Sequence, residues 1–261
     1  MGSFLQVKIN WVDRFRRVEE VPPYTRLAAV YDRMMDHVDY GEWAGYIEKL
    51  FNEFGRGIHR VVDGGCGTGS LVLALEKRGC WVAGFDFSLE MIRMACRKSR
   101  IPFWRGDLRT ISLSGGWDAF LCLYDTIQYL TTEEIRLMFS GVGSVLAEGG
   151  LFIWDAVTEN HVLKYWTHYT EKDRGNGWET MRRSWYDRRV RCQHTEFELF
   201  SLSDRKVYRE HHLQRIYRLE EMERIAEESG LKLVGRFRGF TLNPGDEESD
   251  RVHFVLRKEA S

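Results

Sequence analysis

The feature that most constrains this chain is the run Val61-Val62-Asp63-Gly64-Gly65-Cys66-Gly67-Thr68-Gly69, an apolar strand that ends in an acid, turns through glycines and opens a helix. Glycines in such a turn reach backbone dihedrals closed to other residues and let a ligand touch the main chain. Around it, short apolar runs alternate with helical periods. Strands are expected at 58–62, 81–85, 102–104, 118–123 and 151–154, with helices at 68–78, 89–98 and 133–146. Strands separated by helices of this length imply βαβ units, a parallel sheet and right-handed crossovers. The site of such a sheet lies beyond the carboxyl ends of its strands, where the strand order reverses.

The flanks complete an α/β plan. Leu27, Val30, Tyr31, Met34 and Met35 recur at helical spacing, which predicts a helix over 24–37. A second is expected over 42–54, with Trp43, Tyr46, Ile47 and Leu50 on one face and Gly55 and Gly57 ending it. The first twenty residues show no clean period and read as an appended arm. Beyond Trp154 the rhythm changes: residues 156–217 are polar, Arg-rich and aromatic, with period-two stretches at 197–202 and 207–217 that predict an antiparallel insertion. A helix at 220–229, a stop at Gly230 and strands at 231–240 and 251–256 close the chain. The expected division is 1–23 arm, 24–155 core, 156–217 insertion on the substrate side, and 218–261 end of the core sheet.

Composition excludes several function classes. Lys plus Arg number 38 against 39 Asp plus Glu, so no global field gathers phosphate backbones and nucleic acid is disfavoured as a partner. No apolar run approaches the ~18–20 residues of a membrane span. The opening MGSFLQVKIN lacks a secretory apolar core, and Gln6 stands where myristoylation wants Ser or Thr. Five dispersed cysteines without a C-x-x-C pair fit reduced thiols in a cytoplasm and no metal site.

A glycine loop alone also suits dinucleotides. Here the third glycine of G-x-G-x-x-G, counted from Gly65, falls on Ser70, and Asp63 would repel a pyrophosphate while suiting a ligand with ammonium and sulfonium charges. Asp86, in Phe85-Asp86-Phe87, follows the next strand and suits both hydroxyls of a ribose. Asp107, in Gly106-Asp107-Leu108, follows the third and suits an adenine amino group, and Met91 suits the adenine face. Taken singly, Asp63 and Asp86 also read as helix caps and Met91 as core. An acid beyond each of three successive strands favours one adenosyl ligand over unrelated caps.

This series resembles the motifs of class I S-adenosylmethionine-dependent methyltransferases, over roughly residues 24–155 and the last two strands. The resemblance implies a Rossmann-like seven-stranded, mostly parallel sheet with one reversed strand, an N-terminal helical lid and S-adenosyl-L-methionine as cofactor. It implies that Gly65 and Gly67 approach the methionine part and the ribose, that Asp63 lies near the amino group and Asp86 holds the ribose. By the same likeness, Phe87 and Met91 flank adenine, and Asp107 with Leu108 reads its edge. One departure is Gly64, where the family usually has a larger apolar residue, and looser local packing is expected there. The segment Leu121-Cys122-Leu123-Tyr124-Asp125-Thr126-Ile127-Gln128-Tyr129-Leu130 resembles the stretch that small-molecule (amine and sugar) N-methyltransferases place between cofactor and substrate. On that likeness the Leu123 carbonyl accepts from the methionine ammonium. The pair Tyr31-Asp32 resembles the lid, making Tyr31 a cofactor candidate, with Tyr24, Tyr40 and Trp43 weaker ones.

Methyl transfer to a nitrogen or oxygen of a small molecule needs alignment behind the methyl and, for a protonated acceptor, a base. Tyr129 stands where related amine methyltransferases often carry His, and Asp125 lies beyond the strand end, where it suits an amine, a hydroxyl or a turn. Tyr208, Glu210, His212, Gln214 and Ile216 share one face of their strand. That face reads either as a pocket lining or, by default, as solvent-exposed. The catalytic candidates are therefore Asp125, Tyr129 and His212, and the substrate candidates Tyr24, Tyr124 and Gln214. The Arg-rich run 182–191 reads as a solvated face opposite Glu179, Glu196 and Glu198, or as a surface for RNA or an anionic substrate. Two further readings stay open: an RNA or protein methyltransferase docking through that run, and a protein that binds S-adenosylmethionine without turnover. A small-molecule acceptor is expected, and a homodimer is compatible with the sequence.

Overall fold

Val61 and Val62 are neighbours in one strand and both are buried, yet they enter different cores. A strand covered on both faces is apolar at successive positions, which is why the central runs do not alternate. The structure, a computed structural model, describes residues 17–259. Most of the expected arm, and Gln6 with it, lies outside the described residues.

The strands are β1 (Val18–Glu20), β2 (Arg60–Gly64), β3 (Trp81–Asp86), β4 (Phe103–Arg105), β5 (Trp117–Cys122), β6 (Leu146–Val157), β7 (His168–Gly175), β8 (Trp178–Asp187), β9 (Cys192–Ser201), β10 (Val207–Arg215), β11 (Lys232–Arg238) and β12 (Arg251–Arg257). The helices are α1 (Ala28–Met34), α2 (Tyr40–Phe54), α3 (Ser70–Glu76), α4 (Leu89–Lys98), α5 (Thr132–Val145), α6 (Glu159–Tyr165) and α7 (Leu219–Glu228). Seven strands form one sheet in the order β11-β12-β6-β5-β2-β3-β4, and β12 alone runs against its neighbours. The order reverses between β2 and β5, so the switch point opens beside Asp63 and Leu123. Buried faces of α5 and α7 cover one side of the sheet, and those of α2 and α3 the other. Trp154 and Phe254, paired across β6 and β12, stack at 3.9 Å within the first of these cores.

A second sheet, β1-β10-β9-β8-β7, is antiparallel except for the parallel pairing of β1 with β10. Leu27 and Val30 at the start of α1 pack against Phe197, Leu199 and Tyr208 of this sheet. The lid is therefore held by the insertion. Among the described residues no helix is long and apolar enough to cross a membrane.

Several expectations are corrected. Residues 18–20 are a strand, not part of an irregular arm; as an edge strand they pair through the backbone and need no buried face. The helix expected over 24–37 spans only Ala28–Met34, because Tyr24 takes a left-handed φ of 62° after Pro22-Pro23 and the backbone N–H groups of Tyr24, Arg26 and Leu27 go to the Glu210 carboxylate. Within the insertion, α6 is a helix that the antiparallel reading passed over, with Thr158 as its side-chain cap. Gly64 loosens nothing. A Cβ there would meet Leu108 Cδ2 at 2.7 Å and the tips of Phe85 and Phe120 at 2.9 Å, so the large neighbours already fill the space.

Candidate active site

The glycine turn is built around one carboxylate. Asp86, at the end of β3, accepts from Gly67 N–H at 2.9 Å and from Ser88 N–H at 2.8 Å, one on each oxygen. Each oxygen keeps a lone pair for a ligand hydroxyl. Gly65 and Gly67 have φ of 81° and 55°, in the left-handed region. A Cβ on Gly65 would lie 2.4 Å from Thr126 Cγ2, while one on Gly67 would meet nothing within 4 Å: its backbone borders open cavity. The turn is tied to the lid through Asp32, which accepts from Thr68 Oγ1 at 2.5 Å and pairs with Lys98 at 2.6 Å.

Asp63 is almost wholly buried at the tip of β2, and burial, with Asp86 and Asp155 nearby, pushes its pKa up to about 7. It caps no helix: α3 follows Gly69, which stands at its N-cap, without any side-chain cap. A buried acid held near neutrality and bordering a cavity suits a cationic ligand group. Asp107 is held by Arg109, whose Nη2 lies 2.6 Å away, and Arg109 also reaches Glu134 at 3.0 Å. The Leu123 carbonyl accepts from Thr126 Oγ1 at 2.7 Å and keeps a second lone pair. Phe87 is 58% exposed at the rim, whereas Met91 is buried and borders the cavity.

One cavity of about 930 Å³ runs from the glycine turn to the inner face of the second sheet, at the upper end of the range for ligand pockets. Every site residue singled out from the sequence borders it, as do Tyr40 and Trp43. At its far end the Tyr24 and Tyr129 hydroxyls lie 2.8 Å apart, Tyr129 Oη lies 3.0 Å from His212 Nδ1, and His212 Nε2 lies 3.2 Å from Glu210 Oε2. Burial holds the His212 pKa down against the pull of Glu210, and lifts both tyrosines well above their usual range. The imidazole is neutral at rest. Tyr208, Glu210 and His212 are at most 2% exposed, so the solvent-exposed default for their face is overturned: alternate residues of β10 point into the molecule.

Asp125 sits between partners. Arg251 Nη2 donates to its Oδ1 at 2.8 Å and Gln214 Nε2 to its Oδ2 at 2.6 Å. Arg251 also pairs with Asp155, which accepts from Asp125 N–H at 2.8 Å. Tyr124 and Asp125 have φ of 60° and 54°. Two such residues in succession cost about 1–3 kcal/mol each, and the Arg251–Asp155 pair holds them in place. Burial raises the Asp125 pKa, and Arg251 opposes that rise.

A methyltransferase-domain family model matches residues 61–150, the stretch from β2 into β6. A putative methyltransferase of Geobacillus sp. (strain WCH70) is 28% identical over 251 residues, covering 90% of this chain and 99% of that protein. The chain is an S-adenosylmethionine-dependent methyltransferase. Among solved structures, an S-adenosylmethionine-dependent methyltransferase from Clostridium acetobutylicum ATCC 824 superposes with a TM-score of 0.75 at 19% identity, over 90% of this chain and 98% of the other. The sugar N-methyltransferase KedS8 from Streptoalloteichus sp ATCC 53650 gives 0.74 at 20%, over 88% and 93%. At such identities these likenesses speak to the fold.

Sequence reasoning passed over three residues of this methyltransferase. Glu210 was visible on the face shared with His212 and is fully buried between the lid and that histidine. Arg251 gave no signal, since it opens a strand 126 residues beyond its partner Asp125. Arg182 belongs to the Arg-rich run but points inward. Its neighbour Arg183 does meet Glu196 and Glu198, at 2.6 and 3.0 Å, while Glu179 pairs with Arg174 outside the run. A strand sends successive side chains to opposite faces, so one run of arginines serves two surfaces.

Proposed function

We propose that this methyltransferase methylates a nitrogen of a small-molecule amine. The Tyr24–Tyr129–His212–Glu210 chain carries the reading, because it borders the same cavity as the glycine turn and ends on a buried carboxylate. In this reading residues 24–155 and 218–261 form the cofactor-binding core, and 156–217 covers the acceptor. Asp86 holds the ribose hydroxyls, Asp63 and the Leu123 carbonyl face the amino group, and Met91 and Phe87 flank the adenine. Bound there, S-adenosylmethionine supplies an electrophilic methyl group on a sulfonium sulfur.

The residues of the acceptor half then have defined tasks. With Tyr129 donating to His212 Nδ1, the Nε2–H donates to Glu210, and the Tyr24 hydroxyl donates to Tyr129 Oη. That leaves a Tyr24 lone pair for an acceptor N–H. A proton leaving the nitrogen passes to Tyr24, Tyr24 passes its own to Tyr129, and Tyr129 passes its own to Nδ1, where Glu210 stabilises the imidazolium. Tyr124 and Gln214 line the acceptor space, and Asp125, with both oxygens engaged, positions that loop through Arg251. The tyrosine faces favour the cationic methylated amine. KedS8, named a sugar N-methyltransferase, supports a small amine as acceptor. The pairing of Arg183 and Arg191 with glutamates leaves them poor phosphate contacts, which weighs against RNA docking on the insertion.

The test is methyl transfer from labelled S-adenosylmethionine to a panel of amines and matched alcohols. Transfer to amines alone, lost in Tyr129→Phe, is the expected result. Transfer to alcohols alone, or to none of the panel, would overturn the reading.

A further inference from the structure

The cavity borders four arginines, and three are neutralised in place. Arg33 pairs with Asp173 at 2.5 Å, Arg109 with Asp107 and Glu134, and Arg251 with Asp125 and Asp155. Arg182 is different. Among the described residues it makes no hydrogen bond and no ion pair, and its Nε is buried without a partner. Aromatic faces hold it instead: Trp166 at 4.2 Å, Tyr169 at 5.5 Å and Phe197 at 5.6 Å from the guanidinium carbon. Such stacking fixes the plane of the guanidinium while leaving its N–H fork free for an oxyanion. The carboxylate that competes for it is Glu171, directly opposite on β7, exposed at the rim and beyond ion-pair distance.

Leaving a largely desolvated cation unpaired is costly, and a fold that keeps one beside its acceptor space has a use for it. The tyrosines of the relay lie within electrostatic reach: Arg182 interacts with both Tyr24 and Tyr129. We infer that the methyl acceptor carries an oxyanion, a carboxylate or a phosphate, held by the Arg182 fork while its amine lies against Tyr24 and Tyr129. Arg182 thereby selects zwitterionic or phosphorylated amines over neutral ones. Glu171 disfavours anionic groups at its own exposed end of the pocket and competes for the arginine. This inference rests on the amine reading above and narrows it to a substrate class.

The experiment uses the full chain saturated with S-adenosylhomocysteine and two matched ligand pairs: glycine against glycinamide, and glucosamine 6-phosphate against glucosamine. Binding is followed by calorimetry or saturation-transfer NMR. In at least one pair the member carrying the oxyanion binds ten-fold or more tighter than the member lacking it, and the pair that responds tells carboxylate from phosphate. In Arg182→Met the preference falls below two-fold, Arg182→Lys retains part of it, and Glu171→Gln strengthens it. Absence of any preference in the wild type, including absence of binding by all four ligands, overturns the inference, as does a preference that survives in Arg182→Met. Should Arg182→Met not fold, the wild-type preference and the Glu171→Gln shift decide. Failure of the protein to bind S-adenosylhomocysteine would strike the cofactor placement itself, and transfer to alcohols alone would strike the amine reading, so these failures are distinguishable from loss of the Arg182 role.

Discussion

Tyr129 Oη lies 3.0 Å from His212 Nδ1, joining the loop after β5 to the inner face of β10 across the cavity. The two residues are 83 positions apart, and in the proposed relay their contact makes the antiparallel sheet part of the chemistry rather than a cover for it. Removing the tyrosine hydroxyl breaks the relay without touching the glycine turn. Tyr129→Phe is expected to lower kcat by about 10²–10⁴-fold, the usual share of general acid–base catalysis, with S-adenosylmethionine affinity unchanged. Steady-state kinetics on the responding amine, with a cofactor titration alongside, checks both. Because burial depresses the His212 pKa, the acid limb of the wild-type rate lies below pH 6.5, and in Tyr129→Phe that limb flattens.

In the proposed reading Asp86 serves the fold and the ligand at once. Asp86→Ala removes the acceptor for the Gly67 and Ser88 N–H groups as well as for the ribose. A loss of about 1–3 kcal/mol in cofactor affinity is expected from unpaired polar partners. Calorimetric titration with S-adenosylhomocysteine reads it, and unchanged affinity in a folded variant would remove the cofactor from the tip of β3.

Asp63 gives a pH signature whose sign follows from its raised pKa. Its pKa is about 7 in the folded chain against about 3.9 unfolded, so well below pH 4 the group is protonated in both states and costs nothing. As pH rises through this window the unfolded state loses its proton first, and stability falls, by up to about 4 kcal/mol once pH passes 7. Asp63→Asn should therefore be the more stable protein at pH 8 and equal to the wild type at pH 4, in thermal unfolding without ligand. His253 acts in the opposite direction. Burial holds its pKa at about 3, so stability falls as pH drops from 6.5 toward 3, and His253→Phe loses that slope.

What the sequence made legible were the parts whose signal is local. The glycine turn, the acids at successive strand tips and the alternation of strand and helix each span a few residues, and α4 is found where its period placed it, at Leu89–Lys98. The reversed strand β12 followed from the family resemblance. The acceptor half was legible only in pieces. Whether the Glu210–His212 face of β10 looks inward depends on what packs over it, and that is α1 with the chain before it, some 180 residues away. A strand's period names its two faces without saying which is covered. For the same reason the arginine run could not be divided between Arg182, facing the cavity, and Arg183, facing the glutamates. The Arg251–Asp125 pair has no period at all.

Gly64 turns a departure from the family into a measurable constraint. A Cβ there would press on Leu108, Phe85 and Phe120 at 2.7–2.9 Å, all members of one core or bordering it. Gly64→Ala should destabilise the protein by about 1–3 kcal/mol, as overpacking does. Cofactor affinity of the folded fraction should stay unchanged, because the clash lies on the sheet's side of the turn. Denaturant unfolding with and without S-adenosylhomocysteine separates the two effects.

Glu210 offers the sharpest separation of lid from chemistry. Its Oε1 accepts from the N–H groups of Arg26 and Leu27 at 2.6 and 2.9 Å, and its Oε2 from Tyr24 N–H at 2.7 Å, so one buried carboxylate sets the entry of α1 and the place of the Tyr24 ring. Hydrogen bonds to a charged group contribute about 1.5–3 kcal/mol each. Glu210→Gln keeps the shape and a carbonyl acceptor but places an NH₂ group against backbone donors, and loses the charge that stabilises imidazolium at His212. The variant should lose stability, by about 2–4 kcal/mol on that scale, and kcat together. In hydrogen exchange, amides 24–34 should lose protection while those of β2 and β3 keep theirs. If the variant instead lost activity with lid protection intact, Glu210 would act on His212 alone. If protection fell while kcat held at saturating acceptor, the relay would end at the histidine.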